Sequence, residues 1–423
     1  MHSFDELTHF GSIDWAKAHH DLCIVDLKGK IVLQLRFEES AEGWASFRDK
    51  IKAFHALGIV IETSTGCVVE RLLESGCNVY PIQPAAAKSY RNRVAPSGDK
   101  NDNLDCYSMA RALRSDGMDW HALKAEDPLT LELRYLCRDQ SSLIEQRTAF
   151  VNQLINALHE YYPAALEAFD DWTRPSAWAF VAKFPTPAAL QEAGKRKWEK
   201  FLHAHKLARP ATYEARLAIF SRAHEFRGSQ PTTDAKKVQA QSLVVLLQAL
   251  EARLNVYDEL IQALYYKHPD RKWFGSLPIA QDGKTAPRLL AEIGSDPERF
   301  PDAKSLQCLA GTAPVRFQSG CIDTARIRRA CNKHLRFSIH WFADLSRHRC
   351  PWAETYYQKK RSEGKGHSAA LRCLGQRWLK IIWKMRKTKT AYDPELHQKN
   401  QLKHGSWVLQ LLAPTRAAKA TPN

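Results

Sequence analysis

Apolar and polar positions alternate through the first forty residues. The stretch 10–38 reads FGSIDWAKAHHDLCIVDLKGKIVLQLRFE. Two β-rich runs, DLCIVDL and KIVLQLRF, flank Lys28-Gly29, which predicts a hairpin turn. GSIDW predicts a shorter strand ahead of them. SAEGWASFRDKIKAFHALG then reads as a helix, with Ser40 placed to cap it. IVIET at 59–63 has the pattern of a buried strand ending in a carboxylate. VVERLLESG predicts a helix closed by Gly76, NVYPIQ another strand, and NDNLDCYSMARALR at 101–114 a further helix. The order is three strands, then helix, strand, helix, strand, helix. Strands separated by helices are usually parallel, so an α/β region with a mixed sheet is expected.

Past residue 125 the strand signal fades. Residues 129–159 read as an amphipathic helix, and 170–235 as Pro-punctuated basic helical pieces, including GKRKWEK at 194–200. Leu243, Leu247, Leu250, Leu254, Tyr257, Ile261 and Leu264 then alternate spacings of four and three, a heptad-like seam. It fits a helix packed inside a bundle, and it equally fits an antiparallel coiled-coil arm or dimer seam. Residues 268–390 are dense in Arg, Lys, Trp and His and read as mostly helical. Within them RLLAEIGSDPERF at 288–300 fits half of a helix-hairpin-helix or a plain helix–loop. The resulting division is α/β followed by α: an α/β domain 1–125, a helical and coiled-coil region 126–267, a mostly helical domain 268–392, and a polar tail 393–423 expected to be loosely ordered.

Composition narrows the function. Lys+Arg number 62 against 46 Asp+Glu, a formal charge of +16. A surplus that large calls for a polyanionic partner, nucleic acid or an anionic membrane surface. No apolar run approaches the roughly 18 residues of a bilayer span. MHSFDELTHF has no apolar core of a secretory leader. The ten cysteines include no C-x-x-C pair, so a structural zinc site has little support, and His203 and His205, without a Cys partner nearby, read as surface residues. A reduced, cytoplasmic setting without membrane association is expected.

Four acids carry the candidate chemistry. Asp14 sits in the first strand between Ile13 and Trp15, and Glu62 ends IVIE. Asp102 and Asp105 lie three apart on a helix and so share a face. Singly, each is an ordinary solvated acid. In the order strand, strand, helix on a ribonuclease-H-like layout, they converge at one edge of the sheet. Phosphodiester chemistry uses such a cluster, because hard carboxylate oxygens hold one or two Mg²⁺ ions against phosphate.

The text around these acids, IVIETSTGCVVERLLESGCNVYPIQPAAAKSYRNRVAPSGDKNDNLDCYSMARALRSD, resembles the RuvC-like N-terminal domain of insertion-sequence 110 type transposases, the bridge-RNA-guided DNA recombinases. That family has an acid in the first strand, Glu at the end of the fourth, and a K-x-D-x-x-D segment, here KNDNLD. The match covers roughly residues 10–165. Ser12, Trp15 and Cys106 depart from it, where Gly, a smaller residue and Ala are usual. SLQCLAGTAPVRFQSGCIDTARIRRACNKHLRF at 305–337 resembles the C-terminal domain of the same family, whose AGxAPxxxxSG motif carries a nucleophilic serine, here Ser319. The likeness continues to about residue 392. The resemblance implies that Asp14, Glu62, Asp102 and Asp105 bind Mg²⁺, or Mn²⁺ in its place, and that Ser319 attacks the scissile phosphate. It also implies donor and target DNA, a structured guide RNA, and a homo-oligomer, dimer or tetramer, with active sites shared between subunits. From the residues alone, Ser319 is a turn serine before glycine with no His–Asp pair beside it. Arg316, Arg326, Arg328 and Arg329 lie near enough in sequence to clamp phosphate oxygens. Two other readings stay open: a purely metal-dependent nuclease or junction resolvase, and an inactive nucleic-acid-binding relic.

Overall fold

The computed structural model describes residues 2–99, 101–320 and 322–412. Lys100 of the KNDNLD segment, Cys321 beside Ser319 and the tail beyond 412 lie outside the described residues. The chain divides into two compact units between Ala125 and Glu126.

The first unit is built on five strands, β1 (His9–Trp15), β2 (His19–Asp26), β3 (Ile31–Glu38), β4 (Leu57–Ile61) and β5 (Asn78–Pro81), in the order β3-β2-β1-β4-β5. β1 is central, antiparallel to β2 and parallel to β4, and β5 continues the parallel side, so the sheet is mixed as expected. The β2–β3 turn forms at Lys28-Gly29, where Gly29 takes φ +82, a conformation that costs a Cβ-bearing residue. Two helices alternate with the later strands, α1 (Ala41–Ile51) before β4 and α2 (Cys67–Glu74) before β5, and two follow the sheet, α3 (Pro84–Val94) and α4 (Asp102–Asp116). Ser40 caps α1, its Oγ accepting from the Gly43 N–H at 3.0 Å.

The sheet has a helical layer on each face. Ile13, Ile24, Ile59 and Ile61 pack with Trp44 and Phe47 of α1 and Leu72 of α2. Their neighbours one residue along, Cys23, Val25 and Val60, point the other way and pack with Met109, Ala110 and Leu113 of α4.

Two expectations are corrected in this unit. α1 ends at Ile51 and does not run on to Gly58, because Leu57 already belongs to β4 and Gly58 pairs with Asn78 of β5. The helix α3 was not expected at all. Ala87 is its one buried residue, so no apolar stripe announces it.

The second unit is helical apart from one hairpin. Its frame is two long helices, α5 (Pro128–Tyr161) and α10 (Gln230–Lys267), and between them in sequence come α6 (Pro163–Ala168), α7 (Pro175–Lys183), α8 (Pro187–Ala204) and α9 (Pro210–Ser221). α5 and α10 run antiparallel: Thr130 bonds His268 at 2.8 Å, Gln140 bonds Asp258 at 2.6 Å, and Arg147 bonds Glu251 at 2.7 Å. Leu243, Leu247, Leu254 and Ile261 of the heptad seam are buried inside the chain. The bundle-helix reading of the seam therefore accounts for these residues. Leu243 and Leu247 join an aromatic cluster with Trp178, Phe180, Phe201 and Phe220 from α7, α8 and α9.

Beyond α10 the chain forms α11 (Arg271–Phe274), α12 (Thr285–Ile293), α13 (Ala303–Leu309), an antiparallel hairpin β6 (Val315–Ser319) and β7 (Ile322–Arg326), then α14 (Lys333–Arg347), α15 (Pro351–Ser362), α16 (His367–Thr388), α17 (Pro394–Lys403) and α18 (Trp407–Leu412). Leu289, Leu306, Phe342 and Trp378 are centres of its core. The loop after α12, read as half of a helix-hairpin-helix, turns at Gly294 with φ +83, and buried Arg386 donates to the Gly294 and Asp296 carbonyls at 2.8 and 2.9 Å. The polar tail is corrected as well. Up to residue 412 it is helical, with the Trp407 ring stacked on Tyr356 at 5.4 Å.

Candidate active site

Strand geometry brings the acids together. Asp14 lies one residue before the end of β1, and Glu62 is the residue after β4. These strands are parallel, with Ile13 level with Ile61, so Asp14 and Glu62 stand at the same end of the sheet. The two-residue period puts both on the face covered by α4, the face of Ser12 and Val60. Asp102 and Asp105 open α4, whose N-cap Asn101 accepts from the Leu104 N–H at 2.8 Å. Acids in a first helical turn also complement the helix dipole.

The convergence is felt at Asp14. Its half-buried carboxyl is pushed above the ordinary range, first by burial and then by the charges of Asp102, Glu62, Asp105 and Asp21. A group reports like charges in this way only when they are near. Glu62, Asp102 and Asp105 thus lie within electrostatic reach of Asp14, but the four acids are not drawn into a tight ligand cage. Among the described residues, the one set of three or more ligating side chains whose donor atoms all lie within 4.8 Å is His19, Asp21 and Asp102.

Two guanidinium groups hold the cluster. Arg36 of β3 forks onto Asp21 at 2.8 and 2.7 Å and also reaches Asp102 at 3.2 Å. Arg91 of α3 donates to both oxygens of Asp105 at 2.9 and 3.1 Å. These pairs offset the repulsion of acids gathered at one place.

Sequence reasoning missed Asp21, His19, Arg36 and Arg91. A signal for Asp21 existed. A short turn at 16–18 folds GSIDW back on HHDLCI, and antiparallel pairing then sets Asp21 opposite Asp14, as observed. Arg91 had no comparable signal, since α3 itself was not foreseen.

The departures Ser12 and Cys106 have a structural role. Ser12 Oγ donates to the Cys106 carbonyl at 2.5 Å, and Cys106 Sγ donates to the Asp21 carbonyl at 3.2 Å. Burial pushes the Cys106 thiol up to about 12, so it stays protonated as a donor. The two residues tie β1, α4 and β2 together directly behind the acids. Trp15, the third departure, is exposed.

Ser319 lies in the second unit, the last residue of β6, paired with Ile322 across the turn. Gly320 takes φ +54 there, with open space where a Cβ would stand. Every described residue of the hairpin strands is exposed. Among the described residues no His or carboxylate bonds to Ser319. The basic residues expected to clamp phosphate divide. Arg316 forks onto Asp323 at 2.9 and 2.7 Å, Arg326 lies over the Phe317 ring at 4.1 Å, and Arg328 donates to the Ala313 carbonyl at 3.3 Å. Arg329 is exposed and makes no bond among the described residues.

Carboxylates at one end of a sheet, in a chain carrying +16, are of the kind that enzymes acting on phosphodiesters use. Comparison with known proteins gives the particular family. A family model described as a transposase, for the DEDD domain of the IS110 type, matches residues 12–163. A second, described as the transposase IS116/IS110/IS902 family, matches residues 282–358. A protein of the IS117 mini-circle of Streptomyces coelicolor is 32% identical over 405 residues, 92% of this chain and 97% of that one. The 43.6 kDa protein of insertion element IS110 from the same organism is 24% identical over 404 residues, 94% and 98% of the two chains. The 42 kDa protein of insertion element IS900 of Mycobacterium paratuberculosis is 29% identical over 311 residues, 73% and 75%. The chain belongs to the IS110 family of insertion-element transposases.

Transposition takes DNA as substrate, and the DEDD domain points to a divalent metal. The donor set fits such an ion: several hard carboxylate oxygens, an adjacent imidazole, and a carboxyl at Asp14 whose ionisation a nearby cation would favour. No described helix is long and apolar enough to cross a membrane.

Proposed function

We propose that this transposase, through a RuvC-like first unit and a serine in the second, cuts and rejoins DNA under the direction of a structured RNA. The observation that carries the reading is the gathering of Asp14, Glu62, Asp102 and Asp105 on one face of one sheet end, felt as the raised carboxyl of Asp14. These four residues are proposed to hold Mg²⁺ or Mn²⁺, with Asp21 beside them. Bound there, the ion supplies charge stabilisation to phosphate oxygens. Asn101 and the Ser12–Cys106 link hold the acids in place.

Ser319 is proposed as the nucleophile. Its Oγ forms a new ester bond to phosphorus while the bond from phosphorus to one sugar oxygen breaks. The hydroxyl proton passes to a base, and the departing sugar oxygen takes up a proton. One phosphodiester replaces another, so rejoining by the reverse step needs no nucleotide cofactor. An exposed hairpin turn supports this role, since it presents the hydroxyl without steric cover.

Three experiments test the reading. Asn or Gln substitution at each of Asp14, Glu62, Asp102 and Asp105 is expected to lower recombination at least a hundredfold with nucleic-acid binding retained; full activity in any of them removes that residue from the site. A nicked suicide DNA substrate is expected to leave DNA covalently attached to the peptide containing Gln318-Ser319-Gly320, and Ser319→Ala to abolish the adduct. Guidance predicts a discrete RNA that copurifies with the protein.

A metal-dependent nuclease is the second reading. It is favoured by one observation, that no base stands beside Ser319 among the described residues. Cleavage without any adduct in the wild type, lost in Asp14→Asn but not in Ser319→Ala, would select it.

A further inference from the structure

Helices α15 to α18 line a half-open pocket of about 580 Å³, within the range of pockets that hold one small ligand. Most of it lies past residue 358, where the match to the second family model ends. Its walls are aromatic. The Tyr356 and Trp407 rings stack at 5.4 Å with 24° between their planes. Trp352 meets the His397 ring at 4.7 Å and donates its indole N–H to the Tyr392 hydroxyl at 3.3 Å.

Its rim is cationic. Arg377, Lys380 and Lys384 line it from α16 at spacings of three and four, so they form one exposed row. At 1.5 Å per residue the row is about 10 Å long, room for more than one phosphate. None of the three pairs with a carboxylate among the described residues. The one lining acid, Asp393, is occupied as the cap of α17, accepting from the Glu395 and Leu396 N–H groups at 2.8 and 3.1 Å. Asn400 and Gln401 add side-chain amides, which both donate and accept.

Flat aromatic walls, amides and three cations without a carboxylate partner among the described residues, Arg377 lying over the Tyr356 ring at 5.5 Å, together suit a flat heterocycle joined to a phosphate. We propose that this pocket takes a nucleotide of an unpaired nucleic-acid strand, with the base against the aromatic wall and the backbone along Arg377, Lys380 and Lys384. The inference rests on the nucleic-acid reading above but not on Ser319 chemistry. Within a duplex both ring faces of each base are covered by stacking, so paired strands do not fit. The unpaired strand can be DNA or RNA, and both present the same base and phosphate.

The test uses the full chain carrying Ser319→Ala, so that no covalent step intervenes. Fluorescein-labelled oligodeoxynucleotide and oligoribonucleotide of one sequence, each alone and as a duplex, are titrated by anisotropy at several salt concentrations. Trp407→Ala is expected to weaken unpaired-strand binding roughly tenfold with the salt slope unchanged. The exposed pair Lys380→Gln/Lys384→Gln is expected to weaken it similarly and to reduce the slope by about 1.4. Duplex affinity should move less than about twofold, or about 0.4 kcal/mol. A larger loss with one sugar names the source of the strand, and equal losses assign the site to either.

Unchanged affinity in the lysine pair, or equal losses for duplex and unpaired strand, overturns the proposal. Should Trp407→Ala unfold α18 by circular dichroism, the lysine pair decides alone. If these losses appear while wild type forms no adduct at Ser319, the pocket stands and the serine reading falls. An adduct with undiminished binding in both variants gives the reverse.

Discussion

Glu292 is almost wholly buried on α12, and three elements depend on it. Arg138 of α5 forks onto it at 2.8 and 2.9 Å, and Asn332, the cap of α14, donates to it at 2.7 Å. Burial works to raise its carboxyl, but Arg138 and Asn332 outweigh burial, and the group lies below the ordinary range. A depressed carboxylate stabilises the fold at every pH above its unfolded value near 4.3, and the benefit is lost as pH falls through the lower folded value. Glu292→Gln is therefore expected to cost roughly 3 kcal/mol at neutral pH, with the difference from wild type shrinking below about pH 4. Urea unfolding at a series of pH values checks both the size and the sign; a constant difference down to pH 3 would assign the cost to packing. Glu292 was illegible in the sequence, because its partners lie 154 and 40 positions away. The expected acids were legible for the opposite reason. Asp14 and Glu62 sit at strand ends, where alternation assigns a face, and Asp102 and Asp105 share a helical spacing. The ion pairs of Arg36 and Arg91 depend on tertiary placement, which no spacing encodes.

Elements with a strong period were read well, and elements without one were not. β1 to β4 and α5 were placed because their apolar positions recur. α3 buries Ala87 alone and was missed. The hairpin bearing Ser319 was missed because both its strands lie in solvent and carry no buried face. The run VRFQS-GC-IDTAR does hold a strand–turn–strand signal in its Gly and its β-branched residues, once the turn is put after Ser319. Two glycines bracket this part of the chain and separate local from global effects. Gly320→Ala meets open space but a left-handed φ of +54, so about 1 kcal/mol of strain is expected, confined to the hairpin. Amide exchange at Phe317 to Ser319 should quicken roughly fivefold, adduct yield should fall, and the melting temperature should hold. Gly311→Ala combines φ +64 with a Cβ placed against the Arg336 guanidinium and Cys331 Sγ. It should lower the melting temperature by several degrees. Equal effects from the two substitutions would mean that the hairpin is part of the core.

At the scale of the whole molecule, charge decides more than any single contact. The surplus of 62 basic over 46 acidic residues is larger than internal pairing absorbs, since each internal ion pair removes one charge of each sign. The excess must sit on the surface, and part of it is visibly there: Arg196 and Lys197 are exposed on α8 beside Lys195, which reaches Glu199 at 3.9 Å, and Lys380 and Lys384 are exposed on α16. Each basic side chain that meets a phosphate releases about one counterion, so duplex affinity is expected to fall roughly a thousandfold or more between 50 and 200 mM salt. The distribution of the charge makes the sharper prediction. If guide RNA lies along the helical middle of the chain and DNA elsewhere, Lys195→Gln/Arg196→Gln/Lys197→Gln should weaken structured RNA and reduce its salt slope by up to about 3, leaving the DNA slope as it was. RNA should then displace DNA only in part from the wild type. All three residues are exposed and lie next to buried Trp198, so their neutralisation removes charge without opening the core. Equal losses for RNA and DNA would place both on one surface, and an unchanged RNA slope would move the RNA contact away from α8.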